Sequence, residues 1–190
     1  MQVVLDITLM LLVMELACVV YVPSSTGDFV FDDLLILQET AVTRRKKTGT
    51  DWKSLWLRLA FYKSKRAILY WTFRRDASIH EHNTLGWHWT NIIIHGLCSA
   101  LMYVTARYWF DMPQAFLGAA AYGWYPLAVS SVASVSGRSS AMCQMFNLAS
   151  ILSFICGGWY LVPLWFYLGM KSKEEIVTLP LTLLLVWSVM

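Results

Sequence analysis

Two adjacent carboxylates, Asp32 and Asp33, stand inside the apolar stretch GDFVFDDLLIL at residues 27–37. Burying an ionised carboxylate is unfavourable unless the charge is paired or neutralised, so their position needs a physical reason. Two neighbouring acids could hold a divalent metal ion. Acids are also favourable in the first turn of a helix, where they face the positive end of the helix dipole. The residues alone leave both interpretations open.

A second polar group lies in the stretch LGWHWTNIIIHG, which begins at Leu85. His88, Asn91 and His95 are separated by three and four residues and therefore share one face of a helix. In an apolar helix such a face lies against a cavity or another helix, and hydrogen bonding between helices is the favoured interpretation. As metal ligands, the two histidines are one turn further apart than the usual pair at four residues.

A third candidate is Arg138, which follows Gly137 at an expected helix boundary and stands among the serines of residues 130–140. An arginine at a membrane surface among hydroxyl groups could hold a phosphate. The alternative is an anchoring arginine that extends its charge to the lipid headgroups. Spacing alone does not separate these two roles.

The composition shows what kind of chain positions these residues. Of its 190 residues, 57% are hydrophobic and 14% are charged. Soluble domains usually carry about 25% charged residues, so the low charged fraction indicates a membrane protein. The lengths of its apolar runs predict an all-α, polytopic helical fold with about five to six spans. The four cysteines lie in apolar runs without the spacing of a zinc site or a disulfide framework: Cys18, Cys98, Cys143 and Cys156.

The first expected span covers residues 3–22, which are enough to cross a roughly 30 Å hydrocarbon core as a helix. A cleaved signal peptide is the alternative. The absence of a basic start and of a small-residue cleavage site, together with Asp6 and Glu15 inside the run, argues against that alternative. The two acids are then expected within the membrane, where acids face protein or water rather than lipid.

Further hydrophobic segments predict a bundle of membrane helices after the first loop. The expected spans are 86–106, 114–133, two within 141–170, and one that begins at 176. Gly157 and Gly158 are expected to form the tight turn that divides 141–170. The predicted regions are a first transmembrane helix at 1–22, a loop at 23–84 and a helix bundle at 85–190 that is incomplete at its C-terminal end.

The first loop holds 11 of the 15 lysines and arginines, all between Arg44 and Arg75. Within this loop, the stretch DWKSLWLRLAFY predicts an amphipathic helix lying at the membrane interface. Its apolar residues recur at helical spacing, namely Trp52, Leu55, Trp56 and Leu59. A buried helix of a soluble loop domain is the alternative. The basic run RRKK is expected to meet lipid phosphates, and no nucleic-acid partner is expected.

Five sequence pieces occur in a recognisable order. They are FVFDD, Arg66 followed by Thr72-Phe73, GWHWTNIIIH from Gly86, a proline followed by SVSGR, and SKEEIVTLP from Ser172. This series resembles the membrane half of the transmembrane and tetratricopeptide-repeat-containing O-mannosyltransferases and their bacterial relatives. That half has the multispanning glycosyltransferase fold of class C.

The resemblance implies an activity. Such enzymes transfer mannose from dolichyl phosphate mannose to Ser or Thr of secretory proteins at the lumenal membrane surface, and the expected location is the endoplasmic reticulum. An acid of the first lumenal loop is the base toward the acceptor hydroxyl, so either Asp32 or Asp33 would take that role here. The residues expected to hold the donor are Arg66, His88, Asn91, His95 and Arg138.

The implied partners are the lipid membrane, the lipid-linked sugar donor, a secretory acceptor protein and a possible second membrane chain. No cofactor besides the donor and no metal site is implied, while the dependence on a divalent ion stays open.

The chain departs from the family pattern at several positions. Where the family has His-Pro-x-His-x-Glu, residues 125–130 read YPLAVS. Ser140 stands at the place of an acid, and Ala67 at the place of a proline. These changes support the alternative of a catalytically degenerate, non-enzymatic scaffold or subunit. A transporter subunit with a proton path through Asp6, Glu15 and the histidine face has no motif behind it.

The basic first loop conflicts with a lumenal position, because cytoplasmic loops usually carry the excess of lysine and arginine. We give the motif order more weight, since the loop of about 60 residues is at the limit of that rule. Its basic residues would then meet the donor phosphate and anionic lipids.

Overall fold

A computed structural model describes residues 2–45, 66–81 and 83–190. These ranges contain α-helices joined by short 3₁₀ turns and no strand, which confirms the predicted all-helical fold. The helices are α1 Gln2–Tyr21, α2 Asp32–Arg45, α3 Ala67–Ile79, α4 Thr84–Ala106, α5 Met112–Gly123, α6 Val129–Ala133, α7 Arg138–Ile155, α8 Val162–Met170 and α9 Leu179–Ser188. The predicted interfacial helix at 52–59 lies outside the described residues.

Two of these helices are long and apolar enough to cross a membrane. They are α1, which the 3₁₀ turn Val22–Thr26 extends to a 25-residue segment, and α4 with 23 residues. Among the other described helices, none combines that length with that hydropathy. The predicted total of about five to six spans is therefore not confirmed.

The segment predicted as a third span, 114–133, is not one continuous helix. Helix α5 ends at Gly123, and the chain resumes as the 3₁₀ turn Pro126–Ala128 followed by α6. Tyr125 has an extended backbone with ψ of 119° because the ring of the following proline disfavours a helical conformation there. With 12 residues, α5 covers about 18 Å, which is less than the hydrocarbon core.

The segment 141–170 has the turn that its two glycines predict. Helix α7 ends at Ile155 and α8 begins at Val162. Between them Gly157 has φ of 77°, in the left-handed region that glycine enters without steric conflict. With 9 residues, α8 is only about 14 Å long.

Helices α1, α4 and α5 approach closely because small residues stand at their contacts. A methyl group placed on Gly96 of α4 would lie 2.6 Å from Cys18 Sγ of α1, and one on Gly123 would lie 2.8 Å from the Cβ of Ala17. Such contacts let the helix backbones approach, as small residues do in membrane bundles. The apolar core of this part comprises Val13, Tyr103, Ala115 and Ala119.

Asp6, predicted as an acid within the membrane, is paired at the far end of this bundle. Its Oδ1 accepts hydrogen bonds from Tyr103 Oη and Arg107 Nε, each at 2.8 Å. These contacts join the start of α1 to the end of α4, so the two helices run antiparallel. Asp6 therefore has its partners on a neighbouring helix, as expected for an acid within a membrane segment.

A second apolar cluster holds the opposite end together. It includes Phe73 of α3, Trp87 of α4, Met142 and Phe146 of α7, and Ile176 of the 3₁₀ turn Glu174–Thr178. The backbone N–H of Ile68 also donates to the carbonyl of Lys171 at 3.2 Å, which ties α3 to the end of α8. This end of the molecule carries nearly all of the predicted site residues.

Candidate functional site

An open cavity of about 630 Å³ lies between α2, α3 and the segment 130–140. Its lining includes one acidic side chain, Asp32, and one cationic side chain, Arg66. Hydroxyl groups are frequent in the rest of the lining, which contains Ser130, Ser131, Ser134, Ser136, Ser139 and Ser140. Leu35, Ile36, Tyr70 and Phe73 add an apolar side. The cavity can therefore receive a ligand that is partly anionic, partly hydroxylated and partly apolar.

The two adjacent acids occupy different environments. Asp32 is exposed and lines the cavity, whereas Asp33 is fully buried. Asp33 Oδ1 accepts the backbone N–H of Ser136 at 2.8 Å, and its Oδ2 accepts those of Val135 at 3.2 Å and Val30 at 3.4 Å. Asp33 thus fixes the serine-rich loop, and Asp32 is left available to a ligand.

The start of α2 explains this division. Consecutive residues of a helix point about 100° apart, so one acid can face the loop while its neighbour faces the cavity. Phe31, just before the helix, has φ of 47°, which is uncommon for a bulky residue. Its side chain is 90% exposed, so packing of the ring does not impose this conformation. The strained backbone lies directly beside the exposed acid, a placement frequent at functional sites.

Arg138 does not line the cavity but is buried behind its wall. Its Nη2 lies 2.6 Å from Asp76 Oδ2 and donates to the carbonyl of Trp87 at 3.0 Å. Its Nε donates to Asn91 Oδ1 at 2.6 Å, and its Nη1 to Thr72 Oγ1 at 3.3 Å. The charge is matched by one buried carboxylate, so this arginine joins α3, α4 and α7 rather than presenting a free cation.

Asp76 is the residue that completes this network, and no sequence signal singled it out. It is 5% exposed, and its Oδ1 accepts from Thr90 Oγ1 at 3.2 Å. Burial raises the pKa of the Asp76 carboxyl, and the Arg138 guanidinium opposes that shift. A search for helix-spaced acids one turn from Thr72 in the sequence WTFRRD could have found it.

The polar face of α4 lies buried against the segment 123–134. Asn91 Nδ2 donates to the carbonyls of Ser134 at 2.6 Å and Val132 at 3.4 Å. His95 Nε2 lies 3.0 Å from the carbonyl oxygen of Gly123. These two residues make the contacts between segments that the helical spacing favoured. His88 is 1% exposed, and its two ring nitrogens have no hydrogen-bond partner in the described part of the chain.

One cation, Arg66, lines the cavity, and a second, Lys173, contacts the lining residue Ser140; each is paired with a glutamate. Arg66 Nη2 lies 2.8 Å from Glu174 Oε2, and this hydrogen bond raises the pKa of Arg66. Lys173 Nζ donates to Ser140 Oγ at 2.8 Å and lies 2.5 Å from Glu175 Oε1. The sequence KSKEEI is typical of a solvated loop before a helix and gives no signal that Lys173 reaches the cavity lining.

The structure thus divides the predicted residues into three groups. Asp32 and Arg66 lie at the cavity, while Asp33, Asn91 and Arg138 build its supporting wall, and His88 and His95 are buried in α4. Within residues 2–45, 66–81 and 83–190, no group of three or more His, Cys, Asp or Glu side chains is placed to hold a metal ion. In such a cavity an exposed carboxylate can take a proton from a hydroxyl, and an arginine can bind a phosphate.

Two curated proteins are similar to this chain. One is Protein O-mannosyl-transferase F38B6.6 of Caenorhabditis elegans, 28% identical over an alignment of 157 residues that covers 75% of this chain and 22% of that protein. The other is Protein O-mannosyl-transferase TMTC1 of Homo sapiens, 26% identical over an alignment of 147 residues that covers 73% of this chain and 17% of that protein. No family model and no solved structure matches the chain.

These two relatives confirm the resemblance to the O-mannosyltransferase family that the motif order indicated. The chain spans only about a fifth of the length of the curated relatives it matches.

Proposed function

We propose that this chain forms the membrane part of a protein O-mannosyltransferase that takes mannose from a dolichyl phosphate donor. The acceptors are Ser or Thr side chains of secretory proteins, and the reaction takes place at the lumenal face of the endoplasmic reticulum. The observation that supports this proposal is the cavity that Asp32, Arg66 and the serines of residues 130–140 line together. The two relatives named O-mannosyl-transferases support the reaction class.

In this proposal Asp32 is the catalytic base. Its carboxylate takes the proton of the acceptor hydroxyl as the hydroxyl oxygen bonds to the anomeric carbon of mannose. The bond between that carbon and the phosphate oxygen breaks, and its electron pair leaves with the dolichyl phosphate. Asp32 suits this role because it is exposed and lines the cavity, whereas Asp33, among the described residues, accepts its hydrogen bonds from backbone N–H groups.

The departing phosphate carries negative charge and needs a cation nearby. Arg66 keeps the donor-binding role that the resemblance implied, because it lines the cavity. Lys173 joins it, since its ammonium group reaches Ser140 on the same wall. We assign Arg138 and Asn91 to positioning this wall, because their polar atoms contact protein rather than the cavity.

A non-catalytic scaffold is the second candidate, and a specific observation favours it. The resembled family carries acids at the positions of Ser130 and Ser140, and here both serines line the cavity. The departures therefore fall on the proposed active site itself. Loss of two acids there would leave the fold intact and remove chemistry.

The two candidates are separated by transfer of labelled mannose from dolichyl phosphate mannose to Ser/Thr peptides in membranes that contain the chain. Asp32→Asn is compared with Asp33→Asn and with Asp28→Asn, an exposed acid outside the cavity. A catalytic Asp32 predicts at least a hundredfold lower transfer in Asp32→Asn at unchanged protein level, as expected for loss of a general base. Asp28→Asn should retain full transfer.

Absence of transfer by the unaltered, folded chain would support the scaffold. The Ser130→Glu, Ser140→Asp double variant then tests the reason. If transfer appears in the double variant, the missing acids caused the loss of activity. If it remains absent, the chain lacks further catalytic groups that a longer polypeptide or a partner supplies.

A further inference from the structure

In the part of the chain that the structure describes, one face of α1 is exposed, and this face carries a carboxylate, Glu15. The packed face contains Val13, Ala17 and Tyr21, all at most 4% exposed. On the opposite side, exposed residues recur at intervals of three and four, namely Val4, Thr8, Leu11, Glu15 and Val19. We call these five residues the Glu15 stripe. Such intervals are the ones by which apolar seams bring two helices together.

Glu15 lies deep within the segment that can span a membrane. It is 13 residues after Gln2 and 11 before Thr26, the ends of that 25-residue segment. At 1.5 Å per residue it is about 16–20 Å from either end, close to the middle of a 30 Å hydrocarbon core. An acid at that depth is unfavourable in lipid and normally faces a protein partner or water.

The chain itself offers Glu15 no such partner in the described ranges. No hydrogen bond or ion pair reaches its carboxylate from residues 2–45, 66–81 or 83–190. The other acid of α1 differs in this respect, because the Asp6 carboxylate accepts hydrogen bonds from both Tyr103 and Arg107. Asp6 lies on the packed side of the helix, and Glu15 lies on the open side.

We infer that the Glu15 stripe is the docking surface for another membrane helix, which carries a basic side chain at the depth of Glu15. The apolar residues of the stripe would supply the van der Waals contact. Once enclosed between the two helices, the Glu15 carboxylate would select a partner with Lys, Arg or His over an entirely apolar helix. This inference rests on the membrane placement proposed above and is independent of the transfer reaction.

The test uses the full chain in phosphatidylcholine vesicles, labelled with a fluorescent donor. The probe is a synthetic 20-residue Leu/Ala transmembrane helix with one central Lys and an acceptor dye. The comparison helix has Leu in place of that Lys. We expect energy transfer to indicate about threefold to thirtyfold tighter association with the Lys helix, the range that interhelical hydrogen bonds give in membranes.

Matched variants connect the effect to the stripe. Glu15→Gln should reduce the preference for the Lys helix, and Glu15→Lys should transfer it to a helix with a central Asp. Val20→Gln is the control, because Val20 is exposed on α1 but lies outside the stripe, and the preference should survive there. Helical content by circular dichroism verifies that each variant is folded, which is expected since these side chains are exposed.

Three results would overturn the inference. Equal association of the Lys and Leu helices would show that charge does not select the partner. Stronger energy transfer between two labelled copies of the chain than with either helix would assign the stripe to self-association. Failure of the chain to insert into vesicles, seen by flotation, would remove the membrane placement on which the inference depends. Absence of mannose transfer by the chain would contradict the proposed function but would not affect this inference.

Discussion

At the scale of single residues, the two carboxylates of FVFDD show how environment separates identical side chains. Asp33 is enclosed by backbone N–H groups and has no contact with the cavity, whereas Asp32 is open to it. The sequence could place an acidic pair at the start of a helix. It could not say which acid would be buried, because that depends on where residues 134–136 fold back, some 100 residues later.

Replacing Asp33 by Asn is expected to destabilise the fold by about 1–3 kcal/mol, because one of its acceptor oxygens becomes a donor facing a backbone N–H. Asp32→Asn should change stability by less than about 0.5 kcal/mol, as expected for an exposed side chain. Thermal unfolding in detergent, followed by circular dichroism, measures both variants. Equal loss of stability in the two variants would refute the division of roles.

The buried pair of Arg138 and Asp76 gives a second prediction at this scale. Asp76→Asn leaves the guanidinium buried without a counter-charge, so we expect a loss of about 3–5 kcal/mol in the free energy of unfolding. Denaturant unfolding measures this loss, with Asp28→Asn as the exposed control. A change within the error of the control would show that Arg138 obtains compensation elsewhere.

At the scale of helices, hydropathy located α1 and α4 well, and the α5 region poorly. The segment 114–133 is mostly apolar and contains no charged residue, so an average of hydropathy over it shows no interruption. Pro126 breaks it, and the break brings the carbonyls of Val132 and Ser134 to Asn91. Local composition did not reveal that tertiary contact, although a proline within an apolar run indicates a break in the helix.

Gly96 lies at the contact between α1 and α4, where a larger side chain is expected to destabilise the fold. Gly96→Ala places a methyl group 2.6 Å from Cys18 Sγ and 3.2 Å from Met14 Cγ, so α1 and α4 must separate slightly. We expect a loss of about 1–3 kcal/mol, the range for overpacked sites. Gly118→Ala is the control, because no atom lies within 4 Å of the added methyl.

The control should be neutral or gain about 0.5–1 kcal/mol, since alanine favours a helix more than glycine does. The unfolding midpoints of Gly96→Ala and Gly118→Ala, measured under the same conditions, test this difference. Similar midpoints would mean that the α1–α4 contact is loose at this position.

At the scale of the whole molecule, two polar clusters lie at opposite ends of the antiparallel pair α1 and α4. Asp6, Tyr103 and Arg107 form one, and the Arg138 network forms the other. The motif order located most of the second cluster, because its members share one helix face or flank a glycine. The motif order did not indicate that Arg138 forms a structural ion pair with Asp76. Asp76 directly follows two arginines, so the sequence around it reads as basic.

Antiparallel spans predict that residues near Asp28 and near Asp111 lie on opposite sides of the membrane. In a background without the four native cysteines, a cysteine at position 28 and one at position 111 should each react with an impermeant maleimide from one side only. The proposed orientation places position 28 in the lumen. Sealed microsomes measure the difference, and a permeant maleimide that labels both positions is the control. Labelling of both from the same side would contradict the two spans.

The Arg138 network also imposes an order on biosynthesis. Asp76 leaves the ribosome 62 residues before Arg138, which is its only ion-pair partner in the described chain. At about 5–20 residues per second, roughly 3–12 s pass before the guanidinium is made. During that interval α1 and α4 can already form their hairpin, but the α3 carboxylate must remain hydrated or be shielded by a chaperone. The cavity wall is therefore completed late, after most of the helices that it joins.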